Sequence, residues 1–244
     1  MSKDRDLSRY SRQIPLLGED GQERLFASHV FIAGAGGLGS AAAFYMAAAG
    51  FGRITIVDGD SVETSNLNRQ ILHGMKDLGR SKASSACESM RELNPEVEVE
   101  PICATIEADN IDELLGDAEL IVDALDSFDA RFLLNRAAIE REIPLFHGAI
   151  SGFRGQATTV IPGRTACIRC IYPRHPPSTT PPALGSTCGI IGSIQVNEAV
   201  KYVGGKGCLL ENRLAIWDGL ASVLEEVEVD RDLHCPDCGP SRRR

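Results

Sequence analysis

Residues 30–58 constrain the fold more tightly than any other stretch of this chain. Val30-Phe31-Ile32-Ala33 is an uninterrupted apolar run, and Gly34-x-Gly36-Gly37-x-Gly39 comes directly after it. A small-residue run from Leu38 to Ala49 comes next, then a second strand-like run, Arg53 to Val57, ending on Asp58. The first run predicts a strand buried on both faces of a parallel sheet. The glycines let the backbone turn tightly into a helix whose unpaired N–H groups point at an anion. Asp58 stands nineteen residues beyond Gly39, where a carboxylate can accept both hydroxyls of an adenosine ribose. A lone glycine turn is a weak signal, but strand, helix and acid together predict a nucleotide site.

The alternation continues. Helical runs at about 81–93, 110–115 and 129–141 are interleaved with strand-like runs at 97–102, 120–124 and 144–149. Such alternation predicts an α/β fold, a Rossmann-like doubly wound sheet with helices on both faces. The character changes after Gly152. Gln156 to Ile161 reads as an antiparallel strand, and a Pro/Ser/Thr-rich stretch from Pro173 to Thr187 reads as a crossing loop. A helix over 189–202 and strands over 213–217 and 222–229 complete an eight-stranded sheet, parallel in its first half and antiparallel in its second. The expectation is one domain over 1–244, with residues 1–152 binding nucleotide and 153–244 forming a metal-stapled second half.

The staple is written in two Cys-x-x-Cys knuckles, Cys167/Cys170 and Cys235/Cys238. Two thiols two residues apart can face one ion, and four thiolates complete the tetrahedral shell of a structural Zn²⁺. Redox-active pairs are the competing reading, but neither knuckle comes after a thioredoxin-like strand–helix start. Of the other cysteines, Cys87 and Cys103 read most simply as core, and Cys208 falls in a loop.

The residues past Asp58 bear on the chemistry. Ser65-Asn66-Leu67-Asn68-Arg69-Gln70 puts an arginine and amides just past a strand end, with Lys82 and Asp126 at or near the same edge of the sheet. A hydride-transfer site has no need of so many cations around a phosphate chain, whereas displacing pyrophosphate from ATP does. Arg69 and Lys82 would stabilise the leaving group, and Asp126 would hold Mg²⁺ bridging the phosphates. Singly, Arg69 or Lys82 could be a solvated charge and Asp126 a helix cap; their joint placement points to nucleotidyl transfer. Because the glycine turn and Asp58 would equally serve NAD, an NAD-dependent oxidoreductase with a structural zinc stays open, as does a non-catalytic binding scaffold.

Composition closes off other classes. A formal charge of -9 argues against a nucleic-acid surface. No apolar run reaches the roughly 20 residues of a membrane-spanning helix, and Met1 to Asp6 has no apolar signal region, so a cytoplasmic location is expected.

These motifs together resemble the MoeB/ThiF/HesA family, the bacterial relatives of ubiquitin-activating enzymes. The likeness runs from about Leu7 to Gly239. It is carried by Arg9-Tyr10-Ser11-Arg12-Gln13-Ile14, the Gly34–Gly39 turn, Val57-Asp58-Gly59-Asp60, Ser65 to Gln70, Asp123-x-x-Asp126 and both knuckles. The resemblance implies a homodimer that uses Mg·ATP to adenylate the C-terminal Gly-Gly carboxylate of a ubiquitin-like sulfur carrier, releasing pyrophosphate. A sulfur donor, a sulfurtransferase or a desulfurase, then attacks the acyl-adenylate, in molybdopterin, thiamine or thio-amino-acid biosynthesis. It also implies that Gly37, Asp58, Ser65, Asn66, Asn68, Arg69, Lys82, Asp126 and Ser127 contact the nucleotide, and that Arg12 reaches into the partner subunit's site.

One departure stands out. Many members carry a cysteine eleven residues before the glycine that opens a GIIG-like helix start, and counting back from Gly189 reaches Ser178. A hydroxyl is a poor substitute for a thiolate in thioester or persulfide exchange. Cys188, directly before the expected helix, reads as a buried helix-start thiol rather than a mobile nucleophile.

Overall fold

The computed structural model describes residues 6–175 and 181–240 of the 244-residue chain. Ser178 therefore lies outside the described residues. After a 3-10 turn at Leu7–Tyr10 come α1 (Ile14–Leu17) and α2 (Glu19–Ala27), neither of which the apolar periodicity predicts. The predicted β1 (His29–Ala33), α3 (Gly37–Ala49) and β2 (Arg53–Val57) come after them. Next are α4 (Lys82–Leu93), β3 (Glu98–Ile102), α5 (Ile111–Leu115), β4 (Leu120–Asp123), α6 (Phe128–Glu140) and β5 (Leu145–Ser151). The second half holds β6 (Arg154–Val160), α7 (Ile168–Ile171), α8 (Gly185–Gly204), β7 (Arg213–Asp218) and β8 (Val223–Glu228).

All eight strands form one sheet in the order β3-β2-β1-β4-β5-β6-β7-β8. The pairs from β3 to β5 are parallel and those from β5 to β8 antiparallel, as expected. In β1 the side chains alternate between two cores. Val30 and Ile32 join Met46 of α3, Met90 of α4 and Val196 of α8 on one face. Phe31 and Ala33 join Leu115 of α5 and Leu134 of α6 on the other. Every β1 residue is buried, which is why Val30 to Ala33 are apolar without interruption and the polar His29 is paired with Thr55 Oγ1 at 2.9 Å. By contrast all six residues of β8, at the sheet edge, are exposed.

Strand order reverses between β1 and β4, so a crevice opens beyond their carboxyl ends, where open α/β sheets place ligands. α8 begins at Gly185, four residues earlier than the sequence predicts. Cys188 thus lies inside the first helical turn and not before it. Among the described residues no helix is long and apolar enough to cross a membrane.

Candidate active site and metal centre

The glycine turn is held by contacts that exclude side chains. Gly34 has φ +99°, and a Cβ there would stand 2.8 Å from the carbonyl oxygen of Ala124, beyond β4. A Cβ on Gly39 would stand 1.9 Å from the carbonyl oxygen of Gly34, so only glycine lets α3 start this close to the strand end. These contacts bring the loop carrying Asp126 and Ser127 against the turn. Asp58, beyond β2, accepts from Ala35 N–H with Oδ2 and from Asp60 N–H with Oδ1, both at 2.8 Å. Its carboxylate therefore pins the turn and its own loop.

Lys82 opens α4, and its buried Nζ donates to Asp60 Oδ2 at 2.8 Å. Arg69 donates through Nη1 to Ser65 O and Asn68 Oδ1, each at 3.0 Å, which orders the 65–69 segment into a cationic loop. The start of α8 wedges beside it, since a Cβ on Gly185 would lie 2.7 Å from Asn68 O. Cys188 is buried behind the turn, its Sγ 2.6 Å from where a Gly37 Cβ would be. Burial pushes this thiol up, the opposite of what a nucleophile needs, which agrees with the packing role expected of it. Asp126 and Ser127 are exposed, and no described residue pairs with the Asp126 carboxylate.

Arg12 is the predicted residue that its own chain does not bring to this edge. Gln13 beside it donates to Ala49 O at 2.9 Å, at the C-terminal end of α3. The glycine turn caps the other end of that helix, about 18 Å away at ~1.5 Å per residue.

Behind the crevice lie buried groups, of which only Asp123 stands in a sequence motif. His73 uses Nε2 to hold Ala35 O at 3.0 Å while Nδ1 meets Ser85 Oγ at 2.9 Å, and burial keeps the ring neutral by lowering its pKa. Asp123 ends β4 beneath the Asp126 loop. Its Oδ2 takes His147 Nδ1 at 2.6 Å and faces Arg131 Nε at 3.5 Å. Burial works to raise this carboxyl, yet the Arg131 charge and the His147 bond hold it below the ordinary range. His147 is itself pushed down by burial. Arg131 also donates to Leu125 O, next to Asp126, and to Gly148 O at 3.1 Å. Only Asp123, in the Asp123-x-x-Asp126 motif, marks this network in the sequence; its partners carry no motif.

The knuckles converge. The Sγ atoms of Cys167, Cys170, Cys235 and Cys238 all lie within 4.8 Å of one another, with pairs at 3.9, 3.7 and 3.5 Å. A tetrahedral ion with Zn–S bonds of ~2.3 Å requires sulfur–sulfur edges of about 3.8 Å, so the donor set fits. The Cys167 thiol bond draws Cys170 down to about 5, and Asp232 N–H supports it at 3.4 Å. Asn135 of α6 ties the staple to the core. It accepts from Ile168 N–H and donates to Asp237 Oδ2, both at 3.0 Å. Cys103, expected in the core, is instead exposed at the end of β3, 2.8 Å from Ser81 Oγ.

Residues 10–238, which carry the glycine turn, Asp58, the Arg69 loop, Asp126 and the four thiols, match a known family model. The chain belongs to the ThiF family. It is 43% identical to the "SAMP-activating enzyme E1" of Haloferax volcanii, over 96% of this chain and 89% of that one. It is 38% identical to the "Sulfur carrier protein adenylyltransferase" of Thermus thermophilus, over 98% of this chain and 93% of that one. Among solved structures, E. coli MccB with ATP superposes with a TM-score of 0.84 at 22% identity, covering 97% of this chain and 75% of that one. That last likeness concerns the fold.

Proposed function

We propose that this ThiF-family chain is an adenylyltransferase that activates the C-terminal Gly-Gly carboxylate of a ubiquitin-like sulfur carrier with ATP. The observation that carries the reading is the meeting of the Gly34–Gly39 turn, the Asp58 carboxylate and the Arg69 loop at the β1/β4 switch point. The names of the two relatives point the same way.

In this reading Asp58 takes the ribose, and the turn from Gly34 through Gly36 and Gly37 to Gly39 takes the phosphates, with Ser65, Asn66, Asn68 and Ser127 lining them. A carboxylate oxygen of the carrier attacks the α-phosphorus, and the bond to the bridging oxygen of the β-phosphate breaks. Pyrophosphate leaves with that electron pair. Arg69 and Lys82 neutralise the charge it gains, Lys82 being released towards the phosphates from its pairing with Asp60. Asp126, exposed and unpaired among the described residues, suits Mg²⁺, which keeps most of its waters and takes one or two carboxylates; bound there it would neutralise phosphate charge. Arg12 lies too far from its own site to act there, which supports a homodimer in which each copy completes the other's site. Within a single domain, residues 1–152 form the nucleotide half and 153–244 the carrier-binding half, stapled by zinc. The sulfur donor acts afterwards on the released carboxyl-adenylate, in molybdopterin, thiamine or related sulfur transfer. Adenylation needs no cysteine, so the serine at 178 leaves this half-reaction intact.

Incubating the protein with Mg·ATP and a carrier ending in Gly-Gly, then reading the carrier by mass spectrometry, tests this. A carrier-adenylate with release of pyrophosphate is expected. ADP and phosphate as products, or nucleotide on a carrier lacking its last glycine, would overturn it.

A further inference from the structure

The Asp126 carboxylate is exposed, yet the backbone on either side of it is held. Ahead of it, Leu125 N–H donates to Asp123 Oδ1 at 3.1 Å, and Leu125 O accepts from Arg131 Nη2. Both peptide planes leading into Asp126 are therefore fixed by buried side chains. Behind it, Ser127 caps α6 and its carbonyl accepts from Arg131 N–H at 3.1 Å. Arg131 thus acts on both flanks of Asp126, through its side chain at 125 and its backbone at 127. A helical side chain leans back over the preceding turn, which carries this guanidinium from the start of α6 to Leu125.

Arg131 and Asp123 are 5% and 1% exposed, so neither is placed to touch a nucleotide in the crevice. Neutralising Asp123 does not by itself account for the arginine. Its Nε stands 3.5 Å from Asp123 Oδ2 without a hydrogen bond, while Nη2 donates to Leu125 O and, at 3.1 Å, to Gly148 O of β5. The planar fork spans the Asp126 loop, β5 and the end of β4, and the Phe128 ring lies 5.2 Å from its centre. A lysine at 131 would bring one point charge and could not hold all of these at once.

We propose that Arg131 is a positioning residue for the metal carboxylate: by holding Leu125 O and Ser127 O it fixes the direction from which Asp126 offers its oxygens to Mg²⁺. This rests on the adenylation reading, with Asp126 as a Mg²⁺ ligand, and adds to it the group that aims that ligand. Mg²⁺ demands near-ideal octahedral geometry, so it gains from a carboxylate already in place. Groups that orient a metal ligand from behind are worth roughly ten- to a hundredfold in metal affinity.

The test is Mn²⁺, standing in for Mg²⁺, titrated into the ATP-bound full chain and read by electron paramagnetic resonance, beside metal-free ATP affinity read by calorimetry. Arg131→Lys keeps a cation opposite Asp123 and is expected to weaken Mn²⁺ about tenfold or more, with metal-free ATP affinity unchanged. His147→Gln loses a bond to the same Asp123 but leaves Leu125 held, so it is expected to lower Tm and leave Mn²⁺ affinity unchanged. An Arg131→Lys protein that binds Mn²⁺ like the unaltered one, or that loses metal-free ATP by the same factor, would overturn the proposal. Equal weakening of Mn²⁺ in His147→Gln would do the same. Should Arg131→Lys not fold, hydrogen exchange in the unaltered protein decides: Leu125 N–H is expected to exchange as slowly as Val122 N–H in β4, and exchange as fast as at Asp126 would overturn the clamp. Unchanged Mn²⁺ affinity in Asp126→Ala would sink the metal role of Asp126 and this proposal with it, whereas an unaltered protein that binds no ATP would sink the adenylation reading itself.

Discussion

The two halves of this sheet solve the problem of a fixed geometry in different ways. The nucleotide edge is set by close backbone approach and by buried polar groups behind it: Gly34 and Gly39 against each other, His73 holding Ala35, Arg131 holding Leu125. The strands beneath are buried on both faces. The second half ends in a fully exposed edge strand, and its C-terminal segment returns to the core through four thiols and Asn135. Where an apolar core covers both faces, the fine fit comes from glycines packed backbone to backbone. Where the core runs out, a cluster of four thiols and one buried amide substitute for it.

The sharpest way to separate the two regions is Asp126→Ala. Turnover is expected to fall on the order of a hundredfold or more, as when a charge-stabilising group is removed, with zinc content and melting temperature unchanged. Near-normal turnover in a pyrophosphate-release assay would remove Asp126 from the chemistry. The reciprocal change is Cys235→Ser. Cys167 and Cys235 are 68 residues apart, and cross-linking a loop of that length is worth about 4 kcal/mol, or ~10–15 °C in Tm. A thermal scan showing no loss, with metal analysis showing no zinc in either protein, would break the contrast.

Gly39→Ala sharpens it from the other side. Its Cβ must displace the Gly34 carbonyl, so a cost of about 1–3 kcal/mol is expected together with loss of ATP binding, read by denaturant titration and calorimetry. The smallest effect expected is on pH. His73 and His147 have folded pKa values lowered from 6.5 by burial, and Asp123 is lowered as well. The unfolded chain then binds more protons than the folded one, so the histidines' contribution is complete above 6.5 and is lost as pH falls below it, and that of Asp123 is lost only below 3.8. Tm is expected to drop on acidification from neutral pH, less so in His73→Gln; equal slopes would remove His73 from that role.

Much of this architecture is legible in the residues because it is local. The strand–turn–helix at 30–49 states its periodicity, its glycines and its burial in one stretch, and the knuckles state theirs in pairs. Asp123 stands in a motif, but the network around it was not legible, since His147 and Arg131 meet it only after folding and their spacing carries no period. α2 hid for a related reason: its buried face includes Gly21 and Gln22, and Gln22 is satisfied by Ala49 O at 3.0 Å and not by an apolar neighbour. The early start of α8 at Gly185 comes from contact with Asn68 and Arg69, which Gly-Ser-Thr, weak helix formers, do not advertise.

The most direct test of adenylation is ATP–pyrophosphate exchange with the purified protein, Mg²⁺ and a panel of carriers ending in Gly-Gly. Exchange that needs one carrier and vanishes when its terminal glycine is deleted is expected. Exchange that proceeds equally without any carrier, or bound ATP that never exchanges with any of them, would contradict adenylation of a carrier by this chain.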